Sequence, residues 1–282
     1  QRILLPLLGR LFSFGRADLI PWTLVVINLL SLSMGTWIVG KILAGWSISA
    51  WYSLVYGLWA GFLLALIVDL PEPLAFGLVG AGLLAHNRRH EEFAWVFFGL
   101  ALFAKEVTIL FIGALLFSYL LQRRWRDAIG LTLVGVLPFL IFQVWLWSTF
   151  GRLGIGSGGA MSTSFEVIPY MGLFRIGQTS IIYFLAMMVV FGPTIVLPSA
   201  WGIWKSMRLW VSGERGVLIG GLFLNGLAIA AMPFSTFRET GGILRFACGL
   251  VLALLLFAGR YRTSKVLNYT LFWLVLNVFL LK

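Results

Sequence analysis

The chain has 282 residues, 60% of them hydrophobic and only 11% charged, with a formal net charge of +11. A soluble domain carries about 25% charged residues, so the composition excludes a water-soluble fold, and the lack of short segments with alternating hydrophobicity excludes a β-barrel. One cysteine, Cys248, excludes an intrachain disulfide framework and a Cys-rich metal site, and basic residues gathered in short loops point to bilayer orientation and anionic headgroups rather than nucleic acid.

The chain opens on Gln1 with no signal peptide, and further residues are expected upstream. In residues 1–16, "QRILLPLLGRLFSFGR", the Leu and Phe positions predict an amphipathic helix lying in the membrane interface, with Arg2, Arg10 and Arg16 in the headgroups. Apolar runs then predict spans near 20–40, 50–68 and 72–87. Between the last two stands "DLPEP", where Pro71 and Pro73 bracket Glu72 two residues after Asp69.

Residues 93–121 are awkward, because Lys105 and Glu106 sit in the middle of an apolar stretch. One continuous helix would be about 44 Å long, more than a bilayer core needs. A hairpin turning at Ala104-Lys105-Glu106 would instead put the basic loops "HNRRHEE" (His86–Glu92) and "QRRWRD" (Gln122–Asp127) on one side, as the positive-inside rule prefers. Further spans are predicted at 128–149, 178–204, 216–233, 241–259 and 266–282, about ten in all. The basic loops "KSMRLWVSGER" and "GRYRTSK" fall on the same, cytoplasmic side. The expectation is an all-α polytopic transmembrane helical bundle, a single transmembrane domain over 1–282.

The opposite face then collects residues 69–72, 104–106, a long Gly-rich outer loop at 150–177 expected to act as a lid, and "FSTFRETGG". A carboxylate at a membrane boundary is costly unless solvated or paired, which marks Asp69, Glu72 and Glu106 as candidates. Asp69 and Glu72 also read as helix punctuation around the prolines, Lys105 as a snorkelling lysine, and Arg238 with Glu239 as an exposed loop pair. Arg245, about a turn inside a span, stays charged there and needs a carboxylate or phosphate partner. "GRLGIGSGGAMS" lacks the Gly-Lys-Ser/Thr ending of a phosphate loop. His86 and His90 lack the further ligands a zinc site requires.

"DLPEPLAFGLVGAGLLA", a short basic loop and "FFGLALFAKEVTILFIGALLFSYLLQRRWRDA" together resemble the membrane glycosyltransferases of the GT-C fold, such as protein O-mannosyltransferases and the lipid A aminoarabinose transferase. The likeness covers most of the chain, with its most specific part in residues 65–127. It implies a GT-C-like bundle and a sugar moved from a polyprenyl-phosphate carrier to an acceptor at the outer face of the bacterial cytoplasmic membrane. By resemblance, Asp69 and Glu72 are catalytic, orienting the acceptor or holding a divalent metal, and Lys105 and Arg245 face the phosphate. Glu106, where the family turn often has Gly, and Arg238 in the closing outer loop join the substrate-binding set. The family's usual base lies in a first outer loop upstream of Gln1. Two other classes stand beside this one: a non-catalytic GT-C-like subunit of a larger membrane complex, and a transporter, which would need charges at mid-bilayer.

Overall fold

A backbone embedded in apolar side chains must satisfy its N–H and C=O groups internally, and in this sequence the helix does so. The computed structural model describes residues 2–151 and 163–280, and every element among them is helical. The short helix α1 (Leu4–Phe12) ends at Ser13, followed by left-handed Phe14 and Gly15. The long α2 (Ile20–Gly45) starts on Pro21, whose ring pre-sets the first helical turn. Next come α3 (Ser53–Gly57) and α4 (Ala60–Ile67), bent 46° from each other, and then α5 (Glu72–Asn87), α6 (Glu91–Ala104) and α7 (Ile109–Leu121).

Two long helices follow, each widened once. α8 (Trp125–Gly130) passes through a π-helical stretch at Leu131–Val136 into α9 (Leu137–Phe150). After α10 (Met171–Thr179), α11 (Ile181–Phe191) passes through Gly192–Val196 into α12 (Leu197–Val211). Each stretch contains the residue four before a proline, Val134 before Pro138 and Thr194 before Pro198. The proline ring would clash with that carbonyl in a regular α-helix, and widening relieves the clash. The chain closes with α13 (Val217–Ala230), α14 (Phe234–Arg238), α15 (Thr240–Phe246), α16 (Cys248–Arg260) and α17 (Ser264–Leu271), then a 3-10 stretch to Leu280.

α16 is the axis of the core. Cys248 through Gly259 are all buried, with α2, α3, α5 and α13 packed around them. Cys248 is free, so the core holds no disulfide.

Among the described residues three helices are long and apolar enough to cross a membrane: Ala17–Gly45, Trp125–Phe150 and Ile181–Val211. The bent pair Ala50–Gly57 and Ala60–Ile67 makes a fourth if it counts as one span. This is fewer than the expected ten. A hydropathy window averages across breaks that the backbone does not. The stretch 93–121 breaks at Lys105, whose extended backbone (φ −157°, ψ 124°) separates α6 from α7. The predicted span 241–259 likewise divides at Ala247.

The break at Lys105 is a hairpin. Glu91 at the start of α6 lies 2.6 Å from Arg124 beyond the end of α7, so both basic loops come to one end of the bundle. The other two basic loops arrive there as well: the Ser118 hydroxyl and the Gln122 amide donate to the Arg215 carbonyl. Arg260 lines the same space as Arg124 and Arg89.

The outer loop expected at 150–177 is partly helix, since α10 occupies 171–179 with Leu173 and Ile176 buried on one face. Its approach is anchored too: the Glu166 and Tyr170 amides donate to the Ala231 and Ala230 carbonyls, and Arg175 pairs with Glu166 at 3.2 Å. Residues 152–162, which hold the glycine-rich stretch, lie outside the described residues.

Candidate functional site

Three sequence-distant breaks meet at the end of the bundle opposite the basic loops. Pro71 and Pro73 start α5 with Glu72 at its first position. Lys105 sits at the hairpin tip. α15 is fixed by a bond from the Trp59 indole N–H to the Leu244 carbonyl (2.9 Å), which brings the next residue, Arg245, to the same place. This contact needs a glycine at 61: a Cβ there would stand 2.1 Å from the Leu244 oxygen.

The result is a cavity of about 410 Å³ walled by Arg2, Glu72, Lys105, Glu106, Glu239 and Arg245, with the hydroxyls of Ser235 and Thr236. Lys105 Nζ donates to Glu72 Oε1 at 2.6 Å, and Arg245 Nη1 stands 3.8 Å from the same oxygen. Glu72 is 1% exposed and Lys105 8%, whereas Arg245 keeps 26% of its side chain open. A buried carboxylate at this depth is tolerable only when charge-paired, and Lys105 supplies the pair. Arg245 is steadied by its Nε–H donating to the Gly241 carbonyl (3.0 Å).

The second pair is bidentate: Arg2 Nε and Nη2 donate to the two oxygens of Glu106 at 3.1 and 2.7 Å. That hydrogen bond, helped by the fields of Glu106 and Glu72 and opposed by burial, pushes the Arg2 guanidinium still higher than usual. Arg2 therefore lines the cavity, held by Glu106, where the sequence suggested only a headgroup contact. The rest of α1 keeps the expected amphipathic character. Leu5 is buried, while Leu7, Leu11 and Phe12 are more than half exposed.

Of the six residues singled out from the sequence, Glu72, Lys105, Glu106 and Arg245 line this cavity, and Asp69 and Arg238 do not. Asp69 is left-handed (φ 51°), and the following Leu70 N–H bonds the Ala65 carbonyl at 2.8 Å. This is the Schellman ending of α4, which Asp tolerates better than most side chains. Arg238 is exposed over the Phe234 ring, and its carbonyl accepts from the Tyr183 hydroxyl. Two further charged residues line the wall: Arg2, read from the sequence as a headgroup contact, and Glu239, read as half of an exposed pair and exposed here. Thr163 reaches the wall as well, exchanging hydrogen bonds with Ser235.

The donor set does not favour a metal. Among the described residues no group of three His, Cys, Asp or Glu side chains could hold an ion, and Asp69 and Glu72 do not share the cavity. What the cavity offers is three cationic donors, Arg2, Lys105 and Arg245, among three carboxylates, Glu72, Glu106 and Glu239.

A second polar cavity, about 590 Å³, lies among the basic loops. Its hub is Glu91, which accepts from Arg124 (2.6 Å) and from the Tyr119 hydroxyl and bonds His86 Nδ1 (2.8 Å). Burial would raise Glu91, but the hydrogen bonds from His86, Tyr119 and Arg124 outweigh it and hold the carboxyl at about 2. Arg124 is shared with Asp127 at 2.7 Å. This network ties the two basic loops together and is structural in character.

The described residues thus form an all-helical fold with three membrane-length helices and an ionic chamber at one end. Comparisons with protein-family models, curated proteins and solved structures give no match.

Proposed function

We propose that the chain is a membrane glycosyltransferase that moves a sugar from a polyprenyl-phosphate carrier to an acceptor. In this reading the shorter apolar helices complete a polytopic bundle of the GT-C kind in a bacterial cytoplasmic membrane. The basic loops face the cytoplasm and the chamber faces outward. The observation that carries the reading is the chamber itself. Arg2, Lys105 and Arg245 converge on one cavity beside an amphipathic helix at the bundle's end.

Arg245, with part of its fork open, is the first contact for the carrier phosphate, and Lys105 follows it from Glu72. Glu72, buried and held between two cations, positions them and is not free to take a proton from an acceptor. Glu239, exposed on the wall, is the carboxylate an acceptor can reach. It takes the acceptor hydroxyl proton, the freed oxygen pair attacks the anomeric carbon, and the bond from that carbon to the phosphate oxygen breaks. The polyprenyl phosphate leaves with the electron pair, its charge met by Lys105, Arg245 and Arg2.

The accessory-subunit reading has one observation of its own: Lys105 with Glu72 and Arg2 with Glu106 already neutralise each other. Undecaprenyl phosphate separates the two. Added to purified protein in lipid nanodiscs, it should raise the melting temperature, and Arg245→Gln should lose that shift while Glu239→Gln keeps it. Proteoliposomes with undecaprenyl-phosphate sugars should then show transfer that Glu239→Gln abolishes. No shift with undecaprenyl phosphate would sink the transferase reading in favour of the subunit.

A further inference from the structure

A third cavity differs from the two polar ones. It is a groove of about 630 Å³ between α2, α5 and the start of α6, walled by Leu30, Met34, Trp37, Leu78, Phe93 and Phe97. Apart from Ser31, its length is apolar. Arg88 and His90 stand at one end, and no carboxylate lines it among the described residues. Lys41 adds a second cation near that end, its Nζ 5.4 Å from the centre of the Trp37 ring.

We propose that this groove is a binding site for one anionic phospholipid, its acyl chain along α5 and its headgroup phosphate at Arg88, His90 and Lys41. The site is distinct from the chamber at Glu72 and independent of the transferase reading.

Three observations set the occupant and its direction. First, the groove is closed at the chamber end. Leu4, Leu5 and Leu8 of α1 pack there with Leu24, Ile27, Leu74 and Leu78, so a chain in the groove cannot continue into the chamber from that side. Its open, charged end belongs to the basic-loop face of the bundle.

Second, the small residues on its floor are already used. A Cβ on Gly35 would meet Gly77 Cα at 3.3 Å, and one on Gly77 would meet the Ser31 carbonyl at 3.0 Å, so these glycines serve the close crossing of α2 and α5. They do not form a spare face for a partner's helix, which would otherwise be the expected reader of small residues in a membrane.

Third, the mouth has the composition of a bilayer interface. An exposed Trp and three basic side chains sit where a headgroup would lie, and the deeper wall is hydrocarbon. Met34 and Phe93 are each about 60% exposed along that wall. A flexible acyl chain can fill such an irregular surface.

Native mass spectrometry of the detergent-purified chain, with equal palmitoyl-oleoyl phosphatidylglycerol and phosphatidylethanolamine, tests this. The wild type should retain phosphatidylglycerol preferentially, at about fivefold for each of Arg88 and Lys41. The double variant Lys41→Gln/Arg88→Gln should bring the two lipids close to parity while still binding both. Ala81→Phe, which fills the groove floor, should lower retention of both lipids. Equal retention of the two lipids by the wild type, or full retention in Ala81→Phe, would overturn the site. A covalent dimer formed by Ala81→Cys in a Cys248→Ser background would overturn it too, by assigning the groove to a second copy.

Discussion

The ion pair between Lys105 and Glu72 should be visible as a large, rescuable loss of stability. Replacing Lys105 with Met keeps the side chain's volume and removes its charge. Glu72, 1% exposed, is then left with a single cation 3.8 Å away. Breaking a buried pair from one side costs about 3–5 kcal/mol, because the abandoned charge stays buried. At about 2–4 °C per kcal/mol for a chain of this size class, the melting temperature should fall by about 6–20 °C. Removing both charges, in Lys105→Met/Glu72→Leu, leaves an apolar patch of similar volume and should return most of that loss. Arg245→Met is the control: its guanidinium is farther off and one quarter exposed, so its removal should cost no more than about 1 kcal/mol. The assay is the fraction of protein that stays monodisperse in nanodiscs after heating, measured for all four proteins. If Lys105→Met melts with the wild type, or the double variant is no more stable than Lys105→Met, the buried-pair argument is wrong.

Glu91 gives a pH-dependent counterpart at the other end of the bundle. Its pKa is depressed from 4.5 to about 2, so its contribution is complete above about 4.5 and fades as the pH falls through about 2. Glu91→Gln should therefore be less stable than the wild type at neutral pH, and the gap should close across that acid window. A gap independent of pH would show that the network does not depend on the carboxylate's charge. Gly61→Ala should lower the melting temperature by overpacking, worth about 1–3 kcal/mol, and should weaken undecaprenyl phosphate binding without touching the chamber wall. Unchanged binding with lowered stability would separate α15 from the site. Single cysteines replacing Arg89 and Arg123 in a Cys248→Ala background should label from the same side of sealed vesicles, and one replacing Thr236 from the other. Labelling of the first two from opposite sides would break the hairpin topology.

The helical class was legible because a chain so poor in charge has few other ways to satisfy its backbone, and most helix boundaries fell where prolines and basic loops placed them. The count of membrane-length helices was not. Lys105 interrupts an apolar window by taking an extended conformation, its ammonium on Glu72, and Ala247 interrupts another with nothing in its side chain to announce it. In the chamber, Glu72, Lys105, Glu106 and Arg245 could be picked out because charge in apolar surroundings is conspicuous wherever it occurs. Arg2 could not be assigned, since its partner lies 104 residues away and an arginine beside leucines reads equally well as a headgroup contact. Asp69 reads two ways for a related reason. A carboxylate that ends a helix and one that serves a cavity leave the same trace in a sequence, and the structure sets Asp69 at the left-handed end of α4, outside the chamber lining.

The shortness of the central helices has a consequence for whatever surrounds them. α5, with 16 residues, and α6, with 14, rise about 24 and 21 Å, against about 30 Å for the hydrocarbon core of a typical bilayer. If the proposed bundle sets α5 and α6 across a bilayer, this part of the molecule is thinner than the hydrocarbon around it, and the two ends of α5 stand closer together than the two leaflets' headgroups would. Such a mismatch is met by local thinning of the lipid, at fractions of a kcal/mol per ångström. The long α2 and the helices Trp125–Phe150 and Ile181–Val211 can reach full thickness by their length. The protein would then impose a dimple, deepest beside α5, α6 and α7, drawing headgroups from both leaflets toward the chamber on one side and the basic loops on the other. Reconstitution into bilayers of graded acyl length would read this directly: stability should peak in lipids thinner than those that suit a uniform bundle of full-length spans.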